Sequence, residues 1–146
     1  MIKVLIKRKN KNIKLPKYET LGASGLDICA CIDENITLKK NKTAVIPTGL
    51  FLSIPEGYEI QIRPRSGLAA RKHITVLNTP GTIDSDYRGE IKIILINLGE
   101  QDFEIENGLR IAQMVVSPVV KAELEEVDQI SKTLRDKGGF GSTGLK

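Results

Sequence analysis

The apolar residues of this chain come in short runs, and turn-forming residues separate each run from the next. Residues 59–63 alternate apolar and polar side chains, which is the period of a strand with one buried face. Pro47 and Gly49 interrupt an apolar run over residues 43–54, and a Pro-Glu-Gly turn signal at 55–57 ends it. Short strands between frequent turn signals are typical of an all-β barrel or sandwich. We therefore predict an all-β fold.

One short helix and a tail complete the predicted architecture. Residues 66–71 form the best helix candidate, with Ser66 placed as the N-cap of an apolar turn. Residues 119–124 are expected to form the last strand of the sheet. The final stretch is polar and Gly-rich, a composition that favours disorder at a terminus. The sequence thus predicts a β-barrel domain over residues 1–130 and a flexible C-terminal arm over residues 131–146.

The composition indicates a single globular domain. A chain of 146 residues can bury a core without disulfides or a metal. Its hydrophobic content of 40% and charged content of 27% are typical of soluble proteins. No apolar run approaches the length of a membrane span, and the N-terminus does not resemble a secretory signal. We expect a cytoplasmic protein without a membrane partner.

The charge favours an anionic ligand. The net charge is +4 and the pI is near 9.1, and much of the excess lies at the N-terminus. Lysines there also discourage edge-to-edge pairing of strands. Aromatic residues make up only 4% of the chain and Trp is absent, so the stacking residues of a single-strand binder are missing. Nucleic acid is therefore not an expected partner.

The two cysteines are interpreted as reduced structural thiols. Cys29 and Cys31 lie two residues apart on a predicted strand, so both side chains face the same side. This placement is poor for a disulfide between them. A metal site would need more ligands than these thiols and His73, the chain's one histidine, can supply. We expect His73 to be a surface residue.

The segment around Asp84 contains the most distinctive group of side chains. Pro80 and Gly81 suit a type II turn, because Pro presets φ at its first central position and Gly accepts positive φ at the second. Asn78 and Tyr87 flank Asp84 on either side. An amide, an aromatic ring and a carboxylate could orient a small planar ligand, pack on it and activate water. Taken alone, the segment is better interpreted as an ordinary tight hairpin.

Two other segments carry residues that bind phosphate in many proteins. Arg65, Ser66 and Gly67 precede or begin the predicted helix, whose N-terminus offers free N–H groups and a positive dipole end. Gln113 lies on a strand whose other residues are apolar, so its amide needs a partner. The first segment could equally be a simple capped helix, and the amide of Gln113 could bond to the backbone instead of a phosphate. For each segment, the phosphate-binding and the structural interpretation therefore both stay open.

The Gly-rich tail contains Phe140, an aromatic residue that a purely solvating tail would not need. Arg135, Ser142 and Thr143 are residue types that bind phosphate. The tail is not a P-loop, because Lys146 stands one position too late. A terminus that is disordered without ligand remains the alternative interpretation.

Taken together, five segments in this order resemble the motifs of the trimeric deoxyuridine triphosphatases (dUTPases). They are residues 23–27 (Ala-Ser-Gly-Leu-Asp), 63–69 (Arg-Pro-Arg-Ser-Gly-Leu-Ala), 78–90, 108–113 (Gly-Leu-Arg-Ile-Ala-Gln), and Arg135 with 138–144. The family often has Ala where this chain has Ser24, which is a small departure. The resemblance implies a small distorted, jelly-roll-like barrel that hydrolyses dUTP to dUMP and pyrophosphate. Such an enzyme keeps uracil out of DNA and supplies dUMP for dTMP synthesis.

The resemblance also implies a role for each site residue. Asp84 would be the base that activates water, and Asp27 would help to hold Mg²⁺ through water. Tyr87 would lie against the deoxyribose and block a 2′-hydroxyl. The uracil would be read by Asn78 and the backbone of Gly81, Thr82 and Ile83, and covered by Phe140. The phosphates would be bound by Arg65, Ser66, Gly67, Gln113, Arg135, Gly141, Ser142 and Thr143. The expected assembly is a homotrimer whose sites each take residues from all three chains.

Two other functions are compatible with the same scaffold. The related dCTP deaminases place a catalytic Glu on the strand after the central turn, where this chain has Ile94. A non-catalytic nucleotide-binding regulator would not need the family's catalytic residues, yet this chain has a matching residue at every one of those positions. The sequence therefore favours a dUTP diphosphatase over both.

Overall fold

The computed structural model of the chain describes residues 2–139 and 142. The elements within them follow in the order β1 (Leu5–Arg8), β2 (Leu26–Cys29), β3 (Ile36–Leu38), β4 (Thr43–Ser53), β5 (Tyr58–Arg63), α1 (Ser66–Lys72), β6 (Ile74–Val76), β7 (Gly81–Ile83), β8 (Glu90–Asn97), β9 (Phe103–Ile105) and β10 (Arg110–Pro118). The all-β prediction with one short helix is confirmed. Over the described residues, no helix has the length and apolar character needed to cross a membrane.

Two antiparallel four-stranded sheets enclose the core. One has the strand order β1-β4-β8-β6 and the other has the order β2-β10-β5-β7, while β3 pairs with β9 in a small third sheet. Alternation along each strand points apolar side chains inward, as β8 shows with Ile91, Ile93 and Leu95 buried and Lys92 exposed. Residues of both large sheets join one hydrophobic cluster, so the sheets stabilise each other by burying apolar surface.

Strand β4 is continuous where the sequence predicts an interruption. The register between β4 and β8 shifts between Pro47 and Phe51, and Gly49 has a positive φ of 66°. The chain therefore accommodates the turn-forming residues as a bulge within one strand. The buried hydroxyl of Thr48 donates a hydrogen bond of 2.6 Å to the carbonyl of Ile91, which fastens the bulge to β8.

The helix begins one residue earlier than an N-cap at Ser66 would require. Arg65 is the N-cap, with extended backbone angles of φ −88° and ψ 127°, and no side chain caps the helix. The prediction that Ser66 caps α1 was wrong, because Ser66 is already the first helical residue. The helix ends at Lys72, and the N–H of the following residue, His73, donates to the carbonyl of Ala69. The side chain of His73 is exposed, as predicted.

The last predicted strand is absent, because residues 119–124 form no strand in the structure. Strand β10 ends at Pro118, and the segment beyond it has no neighbouring strand within the described part of the chain with which to pair. Val120 and Leu124 are consequently 94% and 93% exposed. The sequence pattern was that of a strand, but no strand of the described residues pairs with this segment.

The two cysteines are free, as expected. Both are half-buried and lie on one cavity wall. Burial is the largest influence on Cys29 and raises the pKa of its thiol above the ordinary value. A thiol with a raised pKa stays protonated at neutral pH and reacts slowly.

Candidate active site

The hairpin that carries Asp84 differs in detail from the predicted type II turn. The Thr79–Pro80 peptide bond is cis, and Gly81 does not have a positive φ. Gly81 is instead the first residue of β7 and pairs with Ile62 of β5. A Cβ at position 81 would lie 3.3 Å from the Cβ of Ile62 and 3.2 Å from Nδ2 of Asn78, so close packing explains the glycine.

The turn after β7 is held by hydrogen bonds around Asp84. The N–H of Tyr87 donates to the carbonyl of Asp84 at 3.2 Å, and the Tyr87 hydroxyl donates to the carbonyl of Glu90 at 3.0 Å. Arg88 Nη1 donates to the carbonyls of Ser85 at 2.7 Å and of Tyr87 at 3.0 Å. These bonds occupy the backbone and leave the carboxylate of Asp84 exposed to solvent.

A cavity of about 330 Å³ brings the predicted hairpin residues together. Thr82, Ile83, Asp84 and Tyr87 line it, and Lys92 of β8 contributes a charged side chain that the sequence analysis missed. The alternation of β8 places Lys92 on the outward face, and this pattern could have identified it. The cavity thus combines a carboxylate, an ammonium group, an aromatic ring and the end of a strand.

A second group of predicted residues lies around Asp27. Its Oδ1 accepts a hydrogen bond of 2.9 Å from Nε of Arg65, and its Oδ2 accepts one of 2.9 Å from Nη1 of Arg110. Ser66 is exposed and Gly67 half-buried, both directly after Arg65 at the start of α1. Arg110 is absent from the predicted site residues, because its partner Asp27 lies 83 residues away in the sequence.

Gln113 belongs to this second group. It lies between Asp27 of β2 and Arg63 of β5 in the strand register, and its Nε2 donates to the carbonyl of Pro64 at 3.0 Å. A Cβ at position 25 would lie only 2.1 Å from Oε1 of Gln113, so Gly25 leaves the space that this amide occupies. Of the two partners considered for Gln113, the backbone one is therefore present.

The cavities that the described residues form around Asp84 do not contain the second group. In the described part of the chain, Asp84 lines a cavity with Ser85 and Arg88 and another with Tyr87 and Lys92, and neither includes Arg65, Ser66 or Gln113. Asn78 lies at the base of the hairpin and lines neither of them.

The predicted residues of the arm lie partly outside the described residues, as Phe140, Gly141 and Thr143 do. Arg135 Nε donates to the carbonyl of Gly138 at 2.9 Å, so its guanidinium bonds within the arm itself. Ser142 is exposed. Within residues 2–139 and 142, neither cavity around Asp84 includes a residue of the arm.

The donor set around Asp27 fits Mg²⁺ only indirectly. The residues that the structure describes contain no group of three or more His, Cys, Asp or Glu side chains that could hold a metal ion. Both oxygens of Asp27 already accept from an arginine, although each carboxylate oxygen can accept a further bond. Such a carboxylate can accept hydrogen bonds from metal-bound water, which suits the reluctance of Mg²⁺ to lose its waters.

Comparison with known proteins agrees with the motifs. The dUTPase family matches residues 11–144 of the chain. The deoxyuridine 5'-triphosphate nucleotidohydrolase of Brucella melitensis biotype 2 is 58% identical over 136 residues, which are 92% of this chain and 87% of that protein. The protein of the same name from a Hydrogenobaculum species is 54% identical over 145 residues, covering 99% of this chain and 100% of its own.

Solved structures show the same fold. The dUTPase of Staphylococcus bacteriophage 80alpha, solved with dUpNHpp, superimposes with a TM-score of 0.89 at 29% identity. The match covers 99% of this chain and 100% of the phage chain. Family, relatives and fold therefore agree over nearly the full length. The chain belongs to the dUTPase family.

Proposed function

We infer that this chain is a dUTP diphosphatase, which hydrolyses dUTP to dUMP and pyrophosphate. The observation that carries the inference is the Asp84 hairpin, which presents an exposed carboxylate at a cavity together with Tyr87 and Lys92. The nucleotidohydrolase relatives and the phage dUTPase with its bound dUpNHpp support the same reaction. Its substrate belongs to the nucleotide pool, so we place the enzyme in the cytoplasm.

Asp84 is the proposed general base. Its carboxylate accepts a proton from a water molecule whose oxygen attacks the α-phosphorus of dUTP. The new bond joins the water oxygen to the α-phosphorus, and the bond from that phosphorus to the bridging oxygen breaks as pyrophosphate leaves. The hydrogen bonds from Tyr87 and Arg88 to the turn carbonyls keep the carboxylate in place without occupying it.

The uracil is proposed to bind along β7. This strand lies at the edge of its sheet and pairs with β5 alone among the described strands, so one side of its backbone is open. The unpaired N–H and C=O groups of Gly81, Thr82 and Ile83 can bond to the edge of a planar base. Asn78 adds an amide at the base of the hairpin, where close packing excludes the methyl group of thymine.

Tyr87 is the proposed sugar selector, so Tyr87→Ala should lower the preference for dUTP over UTP. The ring lies on the cavity wall, and its removal opens space for a 2′-hydroxyl. We expect the ratio of the two kcat/KM values to fall roughly tenfold, or about 1.4 kcal/mol. Tyr87→Phe keeps the ring and loses only the bond to Glu90, so it should retain the preference. If the wild type and Tyr87→Ala have the same ratio of kcat/KM for dUTP to kcat/KM for UTP, a residue other than Tyr87 selects the sugar.

The triphosphate is proposed to bind at the second group of residues. Arg65 supplies charge, Ser66 and Gly67 supply donors, and the amide of Gln113 lies opposite Asp27. Mg²⁺ bound to the triphosphate would neutralise part of its charge. Asp27 would hold that ion through its waters, in keeping with a carboxylate whose oxygens both face arginines.

We propose a homotrimer, because the cavities around Asp84 in the described part of the chain do not include the phosphate-binding group. A site assembled from neighbouring copies brings them together. The segment after β10 supports assembly, since it exposes large apolar side chains that a monomer would leave in water. They are Val120, Leu124, Val127, Ile130 and Leu134. The β1 edge is also open, since β1 pairs only with β4 among the described strands.

Light scattering should give a mass near three times 16.1 kDa. Truncation after Leu134 should leave this mass intact, because it retains the exposed apolar segment. Truncation after Pro118 should dissociate the assembly, because it removes that segment and the contacts it makes. A stable and fully active monomer of the full chain would contradict the shared site.

Pyrophosphate release from dUTP, compared with dCTP and dTTP, tests the proposed reaction. A dUTP diphosphatase releases pyrophosphate from dUTP and little from the other two. A dCTP deaminase would release ammonia from dCTP, and a non-catalytic regulator would release neither product. The position where that deaminase family has Glu is occupied by Ile94, which cannot transfer a proton.

A further inference from the structure

Glu90 is the first residue of β8, and it lines the cavity of Asp84, Tyr87 and Lys92. Its side chain is half-buried. In the described part of the chain, no lysine or arginine nitrogen lies within 4.0 Å of its carboxylate. Asp84 supplies the proposed base, so the reaction needs no second carboxylate at this cavity. The contacts of Glu90, rather than its charge, indicate its role.

The Glu90 carboxylate fastens the bulge in β4. Its Oε1 accepts a hydrogen bond of 2.8 Å from the backbone N–H of Gly49. The register between the strands jumps from the pair Pro47–Lys92 to the pair Phe51–Glu90, so among the described strands the ladder gives Gly49 no backbone partner on β8. Gly49 is buried, and a buried N–H that loses its acceptor costs free energy. The carboxylate thus takes the place of the missing ladder bond.

The bulge is also held independently of Glu90. The buried hydroxyl of Thr48 donates to the carbonyl of Ile91 at 2.6 Å. On the other side of β4, the carbonyl of Gly49 accepts a hydrogen bond of 2.8 Å from the N–H of Lys9, the residue after β1. The bulge is therefore a fixed point to which the carboxylate can anchor the start of β8.

The backbone next to this anchor supports the ring of Tyr87. The Tyr87 hydroxyl donates to the carbonyl of Glu90 at 3.0 Å. The ring itself lies on Gly89, since a Cβ at that position would be only 2.5 Å from Cζ and 2.9 Å from Cε2 of Tyr87. The position of the ring therefore depends on where the backbone of residues 89 and 90 lies. This support does not need the hydroxyl, in keeping with the expected behaviour of Tyr87→Phe.

We propose that Glu90 is a positioning residue for Tyr87 and, through it, for the choice of deoxyribose over ribose. The inference rests on the proposed function, in which Tyr87 blocks a 2′-hydroxyl. The carboxylate ties the start of β8 to the buried bulge, and this tie fixes the backbone on which the ring lies. A ring that shifts from this place leaves room for the 2′-hydroxyl, because such selection needs side chains that are locked by their surroundings.

Two substitutions separate the reach of the Glu90 side chain from its charge. Glu90→Gln keeps the length and an oxygen that accepts from Gly49, so it should keep the ratio of kcat/KM for dUTP to kcat/KM for UTP within about twofold. Glu90→Asp keeps the charge but is one methylene shorter, so it should lower this ratio roughly three- to tenfold, no further than Tyr87→Ala does. Recovery by Glu90→Asp with loss in Glu90→Gln would show that the charge acts on the substrate, and would overturn the proposal.

Combining Glu90→Asp with Tyr87→Ala tests whether Glu90 acts through the ring. Once the ring is gone, loss of the tie should lower the ratio by less than about twofold more, because the effects of residues in one set of contacts do not add. A further loss as large as that of Glu90→Asp alone would contradict the proposal. Ile91→Val is the control for stability, since it removes a buried methylene beside Glu90 and should lower the melting temperature but not the ratio.

NMR of the chain labelled at its tyrosines reports on the ring without any nucleotide. The chain has three tyrosines, and the spectrum of Tyr87→Phe identifies the signals of Tyr87. Glu90→Asp should shift or broaden these signals, whereas Glu90→Gln should match the wild type. Unchanged Tyr87 signals in Glu90→Asp would contradict the positioning role even if the ratio fell. A wild-type chain that does not hydrolyse dUTP contradicts the proposed function instead, and the NMR comparison still decides whether Glu90 positions the ring.

Discussion

Asp84→Asn should lower kcat for dUTP by roughly 10²- to 10⁴-fold, the usual cost of losing a general base. The substitution keeps the size of the side chain and its capacity for hydrogen bonds but removes its basic oxygen. The turn bonds involve the backbone of Asp84 and the side chains of Tyr87 and Arg88, so the hairpin should persist. Steady-state kinetics of pyrophosphate release gives kcat, and titration with dUpNHpp shows whether binding survives.

Asp86→Asn is the matched control for this experiment. Asp86 is an exposed acid in the same turn, and it does not line the cavity that Asp84 shares with Tyr87 and Lys92. We expect its variant to keep kcat within about twofold, as surface substitutions usually do. Near wild-type turnover in Asp84→Asn would show that another group accepts the proton.

Local sequence patterns were sufficient to predict individual strands. The alternation over residues 59–63 became β5, and the Ile-rich run after the central turn became β8. Both patterns can be read from neighbouring residues alone, because alternation along one strand determines which of its side chains face the core. The five motifs likewise lie within short segments, so the family could be recognised without knowing how the chain folds.

Backbone detail was harder to predict, because several conformations accept the same residues. Pro80-Gly81 suits a type II turn, yet Gly81 is the first residue of a strand. A glycine is needed there because the side chains of Ile62 and Asn78 leave little room for a Cβ. Ser66 is a favoured N-cap residue, but the extended backbone of Arg65 places the cap one position earlier. The close neighbours that decide such cases belong to other segments of the chain.

Contacts between distant segments were not predictable from one sequence. Arg110 and Asp27 pair across 83 residues, and nothing in the local pattern of either segment indicates the other. The segment at 119–124 was wrongly predicted for a similar reason: its local pattern is that of a strand, but no strand among residues 2–139 and 142 pairs with it. The roles of the individual site residues stay predictions, because they depend on a substrate and on neighbouring copies.

Truncation after Leu134 should lower kcat for dUTP by roughly 10²-fold or more, about the effect of losing a stabilising donor at the leaving group. Residues 138–144 include four glycines, so ordering them carries a high cost in backbone entropy. The arm should close only over a ligand that offers enough contacts to offset this cost. The triphosphate offers them to Arg135, Ser142 and Thr143, and the uracil offers a face to Phe140. Kinetics on the truncated chain measures the effect.

The same truncation should hardly change dUMP binding, because dUMP lacks the phosphates that Arg135 would hold. A chain that ends at Gly144 is the control, since it loses only Leu145 and Lys146 and keeps every proposed contact. Melting curves and light scattering should match the full chain for both variants, because the removed residues lie outside the barrel and the exposed apolar segment. Among the described residues, the side chain of Arg135 bonds to Gly138 within the arm, and ligand binding would displace that local bond. If the truncated chain is as active as the full one, the arm is an ordinary terminus, and the barrel alone must exclude water from the leaving pyrophosphate.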